Sequence, residues 1–269
     1  MRSAFVEGIR TQVRWEGDVR VPVAVKRIAV VAQFSTTRKM TRSFSRLVHE
    51  LAEHDYFVLV SSACTEPGEL EWPEPLPANV AVLRKPNIGY DFGSWATAFI
   101  LCPQIFSAER VLQINDSLVG PFWSLDAVLA DFEASYGDWW GMVRSFQVAP
   151  HLQSFFLGFT PTVLTSTTFQ DYWASVKVES TKQRVIDRYE FGLSTRLYNE
   201  GFVSTAFLEA PRVVHPGLNP MIDGWRETLL VGVPFIKREL LTRPEVVTLG
   251  DRVPQVLRDE FDIDIATWM

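Results

Sequence analysis

The chain has 269 residues, 47% of them apolar, and a formal net charge of -6. That length and apolar content supply a core for one large α/β domain or two small ones, and they exclude a wholly disordered chain. The acidic balance, with no long basic block, argues against a dedicated nucleic-acid binder, and apolar runs such as residues 28–34 fall far short of the roughly 20 residues of a spanning helix.

Residues 1–24 are mixed and charged and read as an N-terminal arm or an edge hairpin. Val25 to Phe34 reads as the first buried strand. Thr41 then precedes a helix whose Phe44, Leu47, Val48 and Leu51 share one face at i, i+3, i+4, i+7 spacing. Tyr56 to Ser61 reads as the second strand. Glu66 to Ala78, with four prolines and several acids, reads as a surface loop. Val80 to Leu83 is a short third strand, and a polar, Gly-rich stretch from Asn87 to Trp95 leads into a helix over about 95–101.

Arg110 to Ile114 is an apolar run that reads as the fourth strand. A helix over 125–136, strands at 139–143 and 152–159, and helices at 162–173 and 182–199 follow, the last of them broken near Tyr189. Gly201 is a stop signal, and Phe202 to Leu208 is a final strand. The order predicts a mostly parallel sheet flanked by helices, with right-handed crossovers. The main domain spans 25–233, and 234–269 reads as a helical tail packed on it. Cys64 and Cys102 have no metal-type spacing and read as buried free thiols. That usage fits a reducing compartment, the N-terminus has no apolar core of the signal-peptide type, and the expectation is a cytoplasmic protein.

The most informative residues are Asn115-Asp116-Ser117, because they end a buried strand. In open α/β sheets ligands bind at that edge. Together with Asn87, Gly89 and Asp91 they suggest a nucleotide-sugar site, and so a glycosyltransferase. Such a transfer needs a neutralised leaving diphosphate, a base for the acceptor hydroxyl, and alignment of the two. Asp116 could hold Mg²⁺ or Mn²⁺ with few protein ligands, since Mg²⁺ takes one or two carboxylates plus substrate phosphates. Asn87, Gly89, Asp91, Asn115 and Ser117 are candidate donor contacts, and Glu190 is the candidate base. His151 and Gln153, on one face of a strand-like run, are candidates for the acceptor side. His215, after the last strand, is a candidate metal or diphosphate ligand. Blander readings stand beside these: a polar turn at 115–117, a helix N-terminus capped by Asp91 or Ser94, Glu190 favoured by a helix start, and a structural His151.

The strings Asn87-x-Gly-Tyr-Asp-Phe-Gly-Ser-Trp, Asn115-Asp116-Ser117 with Gly120-Pro121, Trp140-Gly141, His151-Leu-Gln-Ser-Phe-Phe, Tyr189-Glu190-x-Gly-Leu-Ser and Pro234-Phe-Ile-Lys-Arg-Glu-Leu resemble the rhamnan synthesis protein F family over roughly residues 28–245. The resemblance implies cell-surface polysaccharide assembly by a rhamnosyltransferase. It also implies a layout similar to inverting glycosyltransferases of the GT-A fold, a Rossmann-type sheet in a single main domain. There the strand-end motif is Asp-x-Asp, whereas this chain has Asn115, Asp116 and Ser117 and keeps one acid, so metal would rest on Asp116 alone or with His215. The implied donor is dTDP-L-rhamnose. The implied acceptor is a growing, lipid-linked or polymeric glycan, which would bring the protein to the inner face of a membrane. Two rival classes remain: a non-catalytic nucleotide-sugar or glycan-binding module, and a glycoside hydrolase pairing Asp116 with Glu190.

Overall fold

The computed structural model describes residues 2–269. Among the described residues eleven strands form: β1 (Arg14–Glu16), β2 (Arg27–Gln33), β3 (Phe57–Ser62), β4 (Val80–Arg84), β5 (Arg110–Asn115), β6 (Leu118–Val119), β7 (Trp139–Ser145), β8 (His151–Leu152), β9 (Phe156–Phe159), β10 (Ser204–Glu209) and β11 (Ile236–Lys237). The central sheet runs β1-β4-β3-β2-β5-β9-β7-β10, with β8 hanging on β7. Its strands β4, β3, β2, β5, β7 and β10 point one way, while β1, β8 and β9 oppose them. The sheet is therefore mostly parallel, as expected.

Alternation along the strands explains why helices cover both faces. In β2, Ile28, Val30 and Ala32 face one core, and Ala29 and Val31 face the other. The first core takes Phe5, Val6 and Ile9 of α1 (Ala4–Ile9) and Phe92, Trp95 and Phe99 of α3 (Tyr90–Leu101). The second takes Phe44, Leu47, Val48 and Leu51 of α2 (Arg42–Glu53) and Val128, Leu129 and Phe132 of α4 (Asp126–Ala134). Thr41 caps α2 by accepting the Phe44 N–H at 3.2 Å.

The ends of the chain depart from expectation. Within residues 2–24, expected as an arm or an edge hairpin, α1 buries its apolar face in the first core, and β1 closes the sheet edge antiparallel to β4. The expected 152–159 strand is split into β8 and β9 by a turn at 153–155. The expected 162–173 helix is two helices, Pro161–Leu164 and Thr167–Ala174, because Ser166 starts the second by accepting the Phe169 N–H. The tail from Pro234 is only partly helical. It opens with β11, which pairs antiparallel with β6. Its Leu240, Val253, Leu257 and Trp268 share a third core with Val119, Trp225 and Leu229, so the tail and the residues before it form one packed unit.

Gly120 is where that unit meets the sheet. Its φ is +130°, and a Cβ there would collide with the Pro234 carbonyl and come within 2.9 Å of the Phe235 ring. Only glycine tolerates both the dihedral and the approach. Gly120→Ala is expected to lower unfolding stability by about 2 kcal/mol or more, measured as a fall in the urea midpoint; an unchanged midpoint would show that the β6–β11 contact is not tight.

Candidate functional site

The site is built at the C-terminal ends of the parallel strands. The Trp95 indole N–H donates to the Ile114 carbonyl at 2.9 Å, which clamps α3 onto the end of β5. The next residue, Asn115, donates its amide N–H to Asp91 Oδ2 at 2.7 Å. Ser117 closes the turn by donating its backbone N–H and its hydroxyl to Asn115 Oδ1, at 3.1 and 2.6 Å. The turn is thus an Asx-type turn, and its Asn faces Asp91.

Helix α3 starts at Tyr90, five residues earlier than expected, because Gly89 enters it at φ +86°. A Cβ on Gly89 would meet Gly93 Cα and the Phe5 ring at 3.0 Å, and one on Gly93 would meet the Ile88 carbonyl at 2.7 Å. The glycines serve the turn and its packing against α1. Neither Asp91 nor Ser94 caps the helix; Gly89 occupies that position without a side-chain bond. Lys85 stiffens the same loop by donating to the carbonyls of Pro86 and Ile88, both at 2.8 Å.

Glu190 reaches the site from a different element. The expected break near Tyr189 is a π-helical stretch, Ile186–Glu190, continuous with helix Lys182–Val185 before it and helix Phe191–Asn199 after it. The Phe191 N–H donates to the Ile186 carbonyl, an i→i+5 bond of the kind that collects at functional sites. The Tyr172 hydroxyl donates to the Tyr189 carbonyl at 2.8 Å, giving a carbonyl in this widened turn a partner. Glu190 therefore lies within a helix with φ -67° and ψ -57°, and the reading of it as a carboxylate at a helix start is corrected. Tyr189 stacks on Phe92 with ring centroids 5.4 Å apart. Since Asp91 precedes Phe92 and Glu190 follows Tyr189, that stack brings both carboxylates to one cavity. Glu190 Oε1 accepts the Ser154 N–H at 3.2 Å.

The cavity has a volume of about 260 Å³, and Asp91, Asn115, Ser117, Gln153, Glu190 and Lys237 are among its lining residues. His151 lines it too, but its Nδ1 is engaged with the Ala149 carbonyl at 2.8 Å and its ring packs edge-on to Phe191. Gln153 donates to Asn219 Oδ1 at 3.1 Å, while its own Oε1 is buried without a partner. Of the expected donor residues, Asp91, Asn115 and Ser117 line the cavity; Asn87 and Gly89 do not, and Asn87 is exposed.

Asp116 is not among the residues that line the cavity. It is half-buried beside the cavity, and its Oδ2 accepts the Phe34 N–H at 2.9 Å. Burial, then the charge of Asp91, pushes its carboxyl up to about 7, against Arg238 and the Phe34 N–H. Burial also raises Asp91, opposed by the Asn115 hydrogen bond, Lys237 and Lys182 and reinforced by Glu190. His215 is exposed and lines a separate apolar hollow with Phe146, Pro211 and Leu218. Glu190 lines the cavity and Asp116 does not. Among the described residues no group of three or more His, Cys, Asp or Glu could hold a metal, and no helix is long and apolar enough to cross a membrane.

Sequence reasoning missed Lys237, Asn219, Ser154 and Phe155. Lys237 sits in a two-residue strand, too short for alternation to reveal its face. Ser154 and Phe155 sit in the turn that splits the expected strand.

A family model described as rhamnan synthesis protein F matches residues 76–267. "Virulence protein VirA" of Vibrio anguillarum is 25% identical over 248 residues, covering 80% of this chain and 79% of that protein. "Uncharacterized protein y4gN" of Sinorhizobium fredii is 25% identical over 126 residues, 45% of this chain and 33% of that one. A solved glycosyltransferase "involved in the glycosylation of the major capsid of PBCV-1" aligns with a TM-score of 0.41 and 10% identity, covering 78% of this chain and 94% of its own.

The raised Asp116 carboxyl has a signed consequence. Between its ordinary value near 3.8 and about 7, the folded chain holds a proton that the unfolded chain has already lost. Stability from this group is therefore present at low pH and falls as pH rises through that window. Asp116→Asn is expected to lose less stability than wild type between pH 4 and pH 8 in parallel urea titrations; identical slopes would remove the assignment.

Proposed function

The chain belongs to the rhamnan synthesis protein F family, and we propose that it is an inverting glycosyltransferase. The single observation that carries this reading is the cavity at the sheet's C-terminal edge. There Glu190 shares one small space with Asn115 and its partner Asp91. At about 260 Å³ the cavity lies just under the roughly 300–1,000 Å³ usual for a whole ligand. It suits a sugar ring and its phosphates, with the nucleoside lying outside along the strand ends. That is the division a nucleotide-sugar requires.

In this reading Glu190 takes the proton of an acceptor hydroxyl, and the Ser154 N–H at 3.2 Å holds the carboxylate oriented. Asn115, fixed by Asp91 and Ser117, positions the donor. Gln153 offers its unpaired Oε1 to a sugar hydroxyl. The donor in this reading is dTDP-L-rhamnose, as the sequence resemblance implies, and the acceptor a growing cell-surface polysaccharide, polymeric or lipid-linked. A layout of the GT-A kind is part of the same proposal.

The residues present offer a divalent cation little. Asp116, with Asp91 nearby, could serve one that takes its remaining ligands from water and substrate phosphates; a cage of protein ligands is not available. A cation held there would supply charge neutralisation to the departing diphosphate.

Glu190→Gln keeps an oxygen for the Ser154 N–H and removes the base. It is expected to lower kcat for sugar transfer by about 10²–10⁴-fold while donor affinity stays within about twofold, read by product formation and by calorimetric titration of dTDP-L-rhamnose. Near-normal turnover would remove Glu190 from its role. Donor binding without turnover in the wild type, across donors and acceptors, would favour the non-catalytic binding module.

A further inference from the structure

We infer that Lys237 is the protein's own cation for the donor diphosphate, so that the leaving group is neutralised from inside the cavity as well as from its rim. This rests on the transferase reading and adds to it a residue that does not depend on metal.

Placement comes first. β11 pairs with β6 so that Lys237 stands opposite Leu118, the residue after the Asn115–Ser117 turn. The Arg238 N–H donates to the Ser117 carbonyl at 2.8 Å, which fastens the strand to that turn. Lys237 thereby lines the same cavity as Asn115, Ser117, Asp91 and Glu190. It arrives from the third core, on a segment far in sequence from the sheet edge it completes.

Its ammonium is uncommitted. Among the described residues no carboxylate lies within ion-pair distance of Lys237, and its Nζ lies 4.1 Å from the centroid of the Phe155 ring. Lys85, which is buried where Lys237 is half-buried, is the useful contrast, since its Nζ is committed to two backbone carbonyls. A Lys ammonium has three donors, and a desolvated one without an anion is costly. Asp91, Glu190 and Glu239 favour its charged form, while burial and the neighbouring Lys182 hold its pKa down to about 8, so it is mostly protonated at neutral pH. The Phe155 face holds the cation in place without satisfying it. Gln153 Oε1, also unpartnered in this cavity, is a second atom waiting for a polar ligand.

The chemistry balances without a further reagent. The acceptor O–H gives its proton to the Glu190 carboxylate, and the oxygen's electron pair forms the new bond to the anomeric carbon. The bond from that carbon to the phosphate oxygen breaks, and its pair leaves on the diphosphate, which gains one negative charge. Lys237 transfers no proton; its fixed positive charge meets the charge that develops, which is where preorganised electrostatics act.

The test is calorimetric titration of inorganic pyrophosphate and of dTDP, with chelator present throughout, on wild type, Lys237→Met, Lys237→Gln and Lys237→Arg. Each variant is first checked for a cooperative thermal transition, and the glutamine variant serves if the methionine one does not fold. The expected result is binding by wild type in chelator, a loss of about tenfold to a hundredfold on removing the charge, and near-retention in Lys237→Arg. In transfer assays the neutral variants should lose more in kcat than in donor KM. Wild-type pyrophosphate affinity in the neutral variants would overturn the inference, as would transfer indifferent to Lys237 with the transferase reading intact. Lys237-dependent anion binding with no transfer from any donor would support the anion site and sink the transferase reading instead.

Discussion

The hydrogen bond from the Trp95 indole to the Ile114 carbonyl is the constraint on which the site depends. It ties a helix on one face of the sheet to the last turn-forming residues of the central strand. Trp95 is fully buried, so the bond forms where water cannot compete and an unpaired N–H would be expensive. With α3 pinned there, Asp91 one turn earlier has to meet Asn115 one residue later. The Phe92–Tyr189 stack then carries the same registration across to the π-helical stretch. Two elements, α3 and the π-helical stretch, are referenced to one strand end through three aromatic residues and one amide.

Much of the fold was legible because buried parallel strands are continuous apolar runs and crossover helices carry a periodic face. β2, β3, β4 and β5 were visible for that reason, and so was the polar residue that ends β5. The antiparallel β9 was not. It enters the sheet between β5 and β7 through long-range pairing that leaves no local signature, and its split from β8 depends on a turn with no Gly or Pro to announce it. The helix start at Tyr90 was misplaced for a related reason: the Gly89–Phe92 stretch reads as a loop until Phe5 of α1 is seen packed against it.

The site divides along the same line. Asn115, Asp91 and Glu190 were legible as polar residues placed where an apolar pattern stops. The direction of Asp116 was not, because Phe34 offers its N–H only once β2 and β5 are paired in register. Lys237 was invisible on its own terms. It belongs to a segment whose apolar residues suggest a helix, and only its pairing with two residues after the Asn115 turn makes it a strand facing the cavity. The tail is thus a structural wall of the site as well as part of a separate core.

The π-helical stretch has a bearing on how this chain tolerates change in length. A regular α-helix turns roughly 100° per residue, at 3.6 residues per turn, and the i→i+5 closure at Ile186–Phe191 lets one extra residue pass without displacing the helices on either side. Lys182 at the start and Glu190 at the end both border the cavity because the widened turn resets their angular phase. A chain one residue shorter between them could keep every packing contact of the Phe191–Asn199 helix, and yet present a different side chain to the cavity. The carboxylate's aim is encoded by a residue count.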